Sequence, residues 1–200
     1  MLSPTNNLIG ITGGIGSGKS IVSRILRLKG YYVYDCDYQA KILMDNDPDI
    51  ISAIRDDISS SVITDDGHIV RAALAAIIFD NEILRLRLNN IVHSAVKREI
   101  LDIRRRLRDV PLFVESAIIA ESGLAQICDT IWVVSTDDEG KRIDRVTKRN
   151  NCDAASVQAR IRAQKYESEL LNQYQNRIHN ITNEDMTSVL SQVNHLLSTM

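Results

Sequence analysis

The sequence predicts an α/β fold, a doubly wound parallel sheet with a helical insertion and a helical lid, and three observations carry that expectation. Apolar strand-like runs at 8–12, 31–34, 110–114, 131–134 and 178–181 alternate with stretches of helical period. The first run hands directly to Gly13-Gly14-Ile15-Gly16-Ser17-Gly18-Lys19-Ser20, which satisfies G-x-x-x-x-G-K-[ST]. Asp35, Asp37 and Glu115 close the second and third runs. That places acids at the carboxyl ends of strands, the edge where open α/β sheets bind ligands.

Residues 8–12 read as a strand buried on both faces. The helix that follows begins near Lys19 and is expected to turn Val22, Ile25, Leu26 and Leu28 toward the sheet, stopping at Lys29-Gly30. The next strand, 31–34, ends in Asp35-Cys36-Asp37. Residues 39–57 have helical period, broken at Asn46-Asp47-Pro48, and 59–67 is polar and turn-rich. From 69 to 107 the chain reads as helix with one or two breaks, and Leu84, Leu88, Ile91 and Ala95 form a stripe. This block is too long for a simple crossover and is expected to hold an acceptor. Arg104, Arg105, Arg106 and Arg108 at its end read as a solvated basic face.

Strands are expected again at 110–114 and 131–134. Between 138 and 150 the period turns helical, and Lys141, Arg145 and Arg149 fall at steps of four on one face. Asp153 can cap a further helix through Val157, Ile161 and Gln164, and a helix at 186–197 closes the chain after the short run at 178–181. A nucleotide-binding core over about 8–38, 109–136 and 176–200 thus carries an insertion at about 39–108 and a lid at about 138–170, all in one domain of 200 residues.

The chemistry starts at the loop. Its glycines let the backbone curl so that successive N–H groups face phosphate oxygens, and the helix from Lys19 adds the positive end of its dipole. Lys19 is suited to reach the β- and γ-phosphates, and the Ser20 hydroxyl to ligate the Mg²⁺ that accompanies a nucleoside triphosphate. Phosphoryl transfer to a hydroxyl also needs an acceptor-side carboxylate and exclusion of water, for which Asp37 and the pair Arg145 and Arg149 are candidates. A guanine-reading N-K-x-D segment is absent, so the D-x-x-G match at 137–140 reads as chance. His93 reads as a partly buried helix residue with no second ligand at metal spacing.

Bulk properties bound the rest. A formal charge of −2 and a pI near 6.1 provide no field for gripping a polynucleotide. No basic leader or long apolar run is present, so neither export nor a membrane span is expected. Cys36, Cys128 and Cys152 are odd in number and widely spaced, which points to neither a disulfide framework nor a zinc site and fits a reducing cytoplasm. The oligomeric state is not legible.

From about Ile9 to Leu197 the chain resembles the dephospho-coenzyme A kinase family. The resemblance rests on I-T-G-G-I-G-S-G-K-S at 11–20, Asp35-Cys36-Asp37 where the family has D-A-D, and Asp66, Gly67 and Arg71 in D-G-x-x-x-R. It continues with Leu74, Phe79, His93, P-L-F-V-E at 111–115, Arg145 and Arg149, Ala163-Gln164 and Asn180. It implies a phosphate-loop kinase fold and ATP-dependent phosphorylation of the ribose 3′-hydroxyl of dephospho-coenzyme A, with Mg²⁺. It further implies Asp37 as the base and an ATP-phosphate site at Gly14, Ile15, Gly16, Ser17, Gly18, Lys19, Ser20 and Ile21. Arg145 and Arg149 match the lid arginines, and Thr12, Arg71, His93 and Glu115 match the acceptor side. Ser94 stands where the family usually has Pro, Arg142 where it has Gln, and Tyr174-Gln175 where it has Ala-Asp. Another phosphate-loop kinase of a nucleotide-like acceptor, or a non-catalytic nucleotide-binding module, are the alternatives.

Overall fold

A computed structural model describes residues 6–107, 109–136, 138–150 and 152–200. Arg108 of the basic run, Asp137 of the D-x-x-G match, the first five residues and the side chain of Ala163 lie outside the described set. The chain forms two compact units, one made of the segment up to Tyr34 and the segment from Arg106 on, the other of Asp35–Arg105.

The first unit is built on strands β1 (Leu8–Thr12), β2 (Val33–Asp35), β3 (Leu112–Glu115), β4 (Thr130–Ser135) and β5 (Ile178–Thr182). They make a parallel sheet in the order β2-β3-β1-β4-β5. β1 runs through the middle with all five residues buried, in register Ile11↔Glu115 with β3 and Ile11↔Trp132 with β4. The chain leaves β1 toward β2 on one side and returns to β4 and β5 on the other, so the carboxyl end of β1 is a topological switch point. Successive side chains of β1 face opposite ways. Ile9 and Ile11 enter a core with Phe113, Trp132, Val134 and Ile181, covered by Val22 and Leu26 of α1 (Lys19–Leu28) and by Val189 and Val193 of α9 (Val189–Ser198). Phe113 lies between Tyr31 and Trp132, with ring centroids 5.3 Å apart on each side. On the opposite face a side chain at Gly10 would meet Ile119 Cδ1 at 2.2 Å, so only glycine lets that segment close on the sheet.

The helices α6 (Glu139–Asn150), α7 (Ala154–Ala163) and α8 (Lys165–Leu171) follow β4. Asp138 and Asp153 start α6 and α7 as caps, accepting from Lys141 N–H at 2.9 Å and Ser156 N–H at 2.7 Å. In the second unit, α2 (Cys36–Asn46), α3 (Pro48–Asp57), α4 (Arg71–Phe79) and α5 (Glu82–Arg106) enclose their own core of Ile50, Ile54, Val62, Leu74, Leu88 and Ala95, with Ile91 packed on it. The break expected at Asp47-Pro48 is there. Asp47 accepts from Asp49 N–H at 2.9 Å and Pro48 takes the first helical position, where no donor is required.

Several boundaries differ from the sequence expectation. Leu28 is 82% exposed rather than turned to the sheet. At about 100° per residue it falls more than ~100° from the middle of the arc covered by Ile25, Val22 and Leu26. α1 closes with bonds from Tyr31 N–H to Leu26 O and Gly30 N–H to Arg27 O, so β2 starts at Val33 and not at 31. α2 begins at Cys36 rather than 39, because the Asp35 carboxylate accepts from Tyr38 N–H at 3.0 Å and caps it. α9 starts at Val189 and leaves Met186 96% exposed, since Ser188 supplies the cap to Ser191 N–H. α8 was not foreseen. No helix among the described residues is long and apolar enough to cross a membrane.

Candidate active site

The phosphate loop leaves β1 at Thr12 and enters α1 at Lys19, so the strand and helix fix its two ends. Its first residue, Gly13, has φ +147°, and a Cβ there would lie 2.1 Å from Val134 O. Glycine is required at that position by conformation and by space.

The carbonyls of the loop are held from outside. Asn183 Nδ2 donates to Ser17 O at 2.8 Å, Arg142 Nε to Ile15 O at 3.0 Å and Arg145 Nη1 to Gly16 O at 3.4 Å. Lys19 Nζ rests on Gly13 O at 2.7 Å and Gly14 O at 3.3 Å. With carbonyls pinned outward, peptide planarity turns the amides the other way. The N–H groups of Gly16, Gly18 and Ser20 donate to no described protein acceptor, whereas Ile15 N–H donates to Gln164 Oε1 at 2.7 Å. Unspent amides and a lysine at a helix N-terminus form an anion site.

Beside the loop is a cavity of about 360 Å³. Thr12, Gly13 and Gly14 line it with Ser135 and Thr136 at the end of β4, Arg142, Gln164 and Glu167. The Thr12 hydroxyl is fully buried with no partner among the described residues, as is that of Ser17. Glu167 is 4% exposed, and its two oxygens accept from Ala120 and Glu121 N–H at 2.8 Å each. Burial pushes its carboxyl above the ordinary range and outweighs those two amides. Thr136 donates to Glu184, and Lys141 pairs with Asp185 at 2.6 Å, which raises the lysine and lowers the aspartate.

The first unit therefore brings together Thr12, the loop from Gly14 to Ile21, and Arg145, and β-sheet register sets the half-buried Glu115 beside Ile11. Arg149 is an exposed residue near the end of α6. The second unit holds Asp37, Arg71 and His93. Asp37 is exposed in the first turn of α2 and shares one helix face with Lys41 and Asp45 at steps of four. Arg71 binds that same face, donating to Lys41 O at 3.0 Å and to Asp45 at 2.8 Å. His93 is half-buried on α5. Among the described residues no group of three or more His, Cys, Asp or Glu could cage a metal, and the Ser20 side chain is exposed at the start of α1.

Comparison with known proteins fixes the lineage of this site. The profile of the dephospho-CoA kinase family matches residues 7–185. The chain belongs to the dephospho-CoA kinase family. It is 38% identical over 162 residues to a dephospho-CoA kinase of Porphyromonas gingivalis, covering 81% of this chain and 79% of that protein. The crystal structure of TT1252 from Thermus thermophilus superposes with a TM-score of 0.77 at 28% identity, covering 97% of both chains. Dephospho-CoA kinase from Campylobacter jejuni shares the fold at a TM-score of 0.66 and 22% identity, covering 96% of both. Within this family fold, the residues that sequence reasoning missed are those that grip the loop from behind. Arg142 was noted only as a departure from the family, Gln164 only as a helix position and family marker, and Asn183 not at all.

Proposed function

We propose that the protein transfers the γ-phosphoryl group of ATP to the ribose 3′-hydroxyl of dephospho-coenzyme A, giving coenzyme A and ADP. The observation that carries this reading is an anion-ready phosphate loop within a chain matched to the family over 7–185. The loop amides and Lys19 bind the triphosphate, and Lys19 reaches the β- and γ-phosphates from its seat on Gly13 O and Gly14 O. Ser20 would hold the Mg²⁺ that accompanies ATP, which would supply charge neutralisation on the phosphates. The 3′-oxygen attacks the γ-phosphorus as the bond to the β,γ-bridging oxygen breaks, and Asp37 takes the hydroxyl proton. Arg145 and Arg149 of α6 close over the phosphates and exclude water. Asp35 is spent as the cap of α2, which leaves Asp37 as the exposed acid of the pair.

We assign acceptor recognition to residues 35–105, where Arg71 and His93 lie, with Thr12 and Glu115 contributing from the sheet. A cytoplasmic setting accords with three cysteines that form no disulfide. Polynucleotide and membrane partners are not part of this reading.

The test is product identification by mass with Mg-ATP and dephospho-coenzyme A, adenosine, AMP or shikimate as acceptor. Phosphate added at the 3′-hydroxyl of dephospho-coenzyme A alone is expected. Turnover of another acceptor would retain a kinase and discard the substrate. Asp37→Asn should lower kcat by roughly 10²–10⁴-fold, the usual worth of a general base, and leave ATP affinity unchanged. An undiminished kcat removes Asp37 from the mechanism.

A further inference from the structure

Gln164 occupies a singular position. Its backbone is fixed at the C-terminus of α7, where its N–H donates to Arg160 O and Ile161 O at 3.2 Å each, and its carbonyl accepts from Ser168 N–H at the start of α8. Its side chain crosses 149 residues of sequence to accept from Ile15 N–H at 2.7 Å. That bond identifies which arm of the planar carboxamide is oxygen, because only oxygen can accept. The other arm, an NH₂ with two donors, has no acceptor among the described residues, and Gln164 lines the cavity with Thr12, Gly13 and Gly14.

The location of that cavity along the bound phosphates follows from Lys19. In such loops the lysine reads the β- and γ-phosphates. Its ammonium sits on the Gly13 and Gly14 carbonyls, so the Gly13–Ile15 end of the loop, to which Gln164 is fastened, is the terminal-phosphate end. The charge that develops during transfer is carried by the non-bridging oxygens of that phosphate, which gain most from donors already oriented.

We infer that Gln164 is a phosphate-binding residue specific for the terminal phosphate, its carboxamide oriented by Ile15 N–H so that its NH₂ donates to a γ-phosphate oxygen. ADP ends short of this donor. Gln164 therefore distinguishes the substrate nucleotide from the product nucleotide, an assignment that rests on the kinase reading above.

Calorimetric titration of the full chain with Mg-ATP and with Mg-ADP, in the absence of acceptor, tests it. Gln164→Ala removes the donor, and ATP affinity should fall roughly 10- to 150-fold, as for one hydrogen bond to a charged group, while ADP affinity stays within about twofold. Gln164→Glu is the sharper variant. It keeps an oxygen for Ile15 N–H but sets an anion where the donor stood, so it should lose more than tenfold on ATP and again little on ADP. Equal losses for both nucleotides would reduce Gln164 to a structural brace and overturn the inference. So would tighter ATP binding by Gln164→Ala, since the side chain would then be a stand-in that phosphate must displace. Unchanged ATP affinity in both variants overturns it as well. If the unsubstituted protein binds neither nucleotide, the kinase reading itself fails.

Discussion

Gly13→Ala should destabilise the protein about twice as much as Gly30→Ala, and the structure says why. Both glycines have positive φ, +147° and +88°, so an alanine at either site is strained by about 1–3 kcal/mol. Around Gly30 a new Cβ meets nothing within 4 Å, and the cost ends there. At Gly13 the same atom lies 2.1 Å from Val134 O and 2.8 Å from Ser17 Oγ. The first is backbone of β4, in parallel register with β1, so relief requires the sheet or the loop to shift; overpacking of that kind costs a further ~1–3 kcal/mol. The expected loss is about 2–6 kcal/mol at Gly13 against about 1–3 kcal/mol at Gly30. For a chain of this size that corresponds to roughly 4–24 °C and 2–12 °C of melting temperature. Urea denaturation gives both values, and calorimetry at a temperature where each variant is folded gives nucleotide affinity. Gly13→Ala should also weaken ATP because any shift moves the loop amides. A Gly13→Ala variant no less stable than Gly30→Ala would refute the argument from close approach.

Asn183→Ala deletes the donor to Ser17 O at 2.8 Å and should cost about 1 kcal/mol of stability and several-fold in ATP affinity, leaving the KM for the acceptor unmoved; a change confined to the acceptor would refute the brace. The raised carboxyl of Glu167 makes a pH prediction of unusual sign. Because burial lifts its folded pKa above the unfolded 4.5, the stability this group contributes is complete below that value and is lost as pH rises through the higher folded value. Glu167→Gln does not titrate. The difference in unfolding free energy, unsubstituted minus variant, should therefore shrink from about pH 4 to pH 8 in denaturant titrations, and a constant or growing difference would contradict the assignment.

How far the sequence reaches toward this structure depends on whether its partners are near in the chain. The phosphate loop was readable because strand, glycines, lysine and helix follow one another within 8–28, and each obeys a local rule. The sheet was readable as well: buried parallel strands are near-continuous apolar runs, and all five occur within three residues of expectation. Where local signals were misjudged the cause was also local. Capping by Asp35 moved the start of α2, and an exposed phase of α1 put Leu28 in solvent. The same capping bond occupies Asp35, while Asp37, the acid that the sequence put forward, stays exposed.

The bracing of the loop is a different matter. Its outward carbonyls are held by Arg142, Arg145 and Asn183, between 127 and 166 residues away, and its Ile15 amide by Gln164. None of these contacts has a period, a cap or a spacing that announces it, since the sheet alone decides what stands beside the carboxyl end of β1. Arg145 had been read as part of a lid that acts on substrate, and Arg142 only as a departure from the family. In this structure Arg142 and Arg145 already work on the protein itself, turning the Ile15 and Gly16 peptides so that the amide of Gly16 is left for a ligand. A cation on α6 can therefore influence phosphate binding without touching phosphate, by fixing the direction of a peptide dipole. For Arg145 the two roles separate by a simple criterion. A guanidinium that only orients the loop alters ATP and ADP affinity alike, because both nucleotides use the same amides, whereas one that also reaches the transferring group lowers kcat beyond its effect on binding.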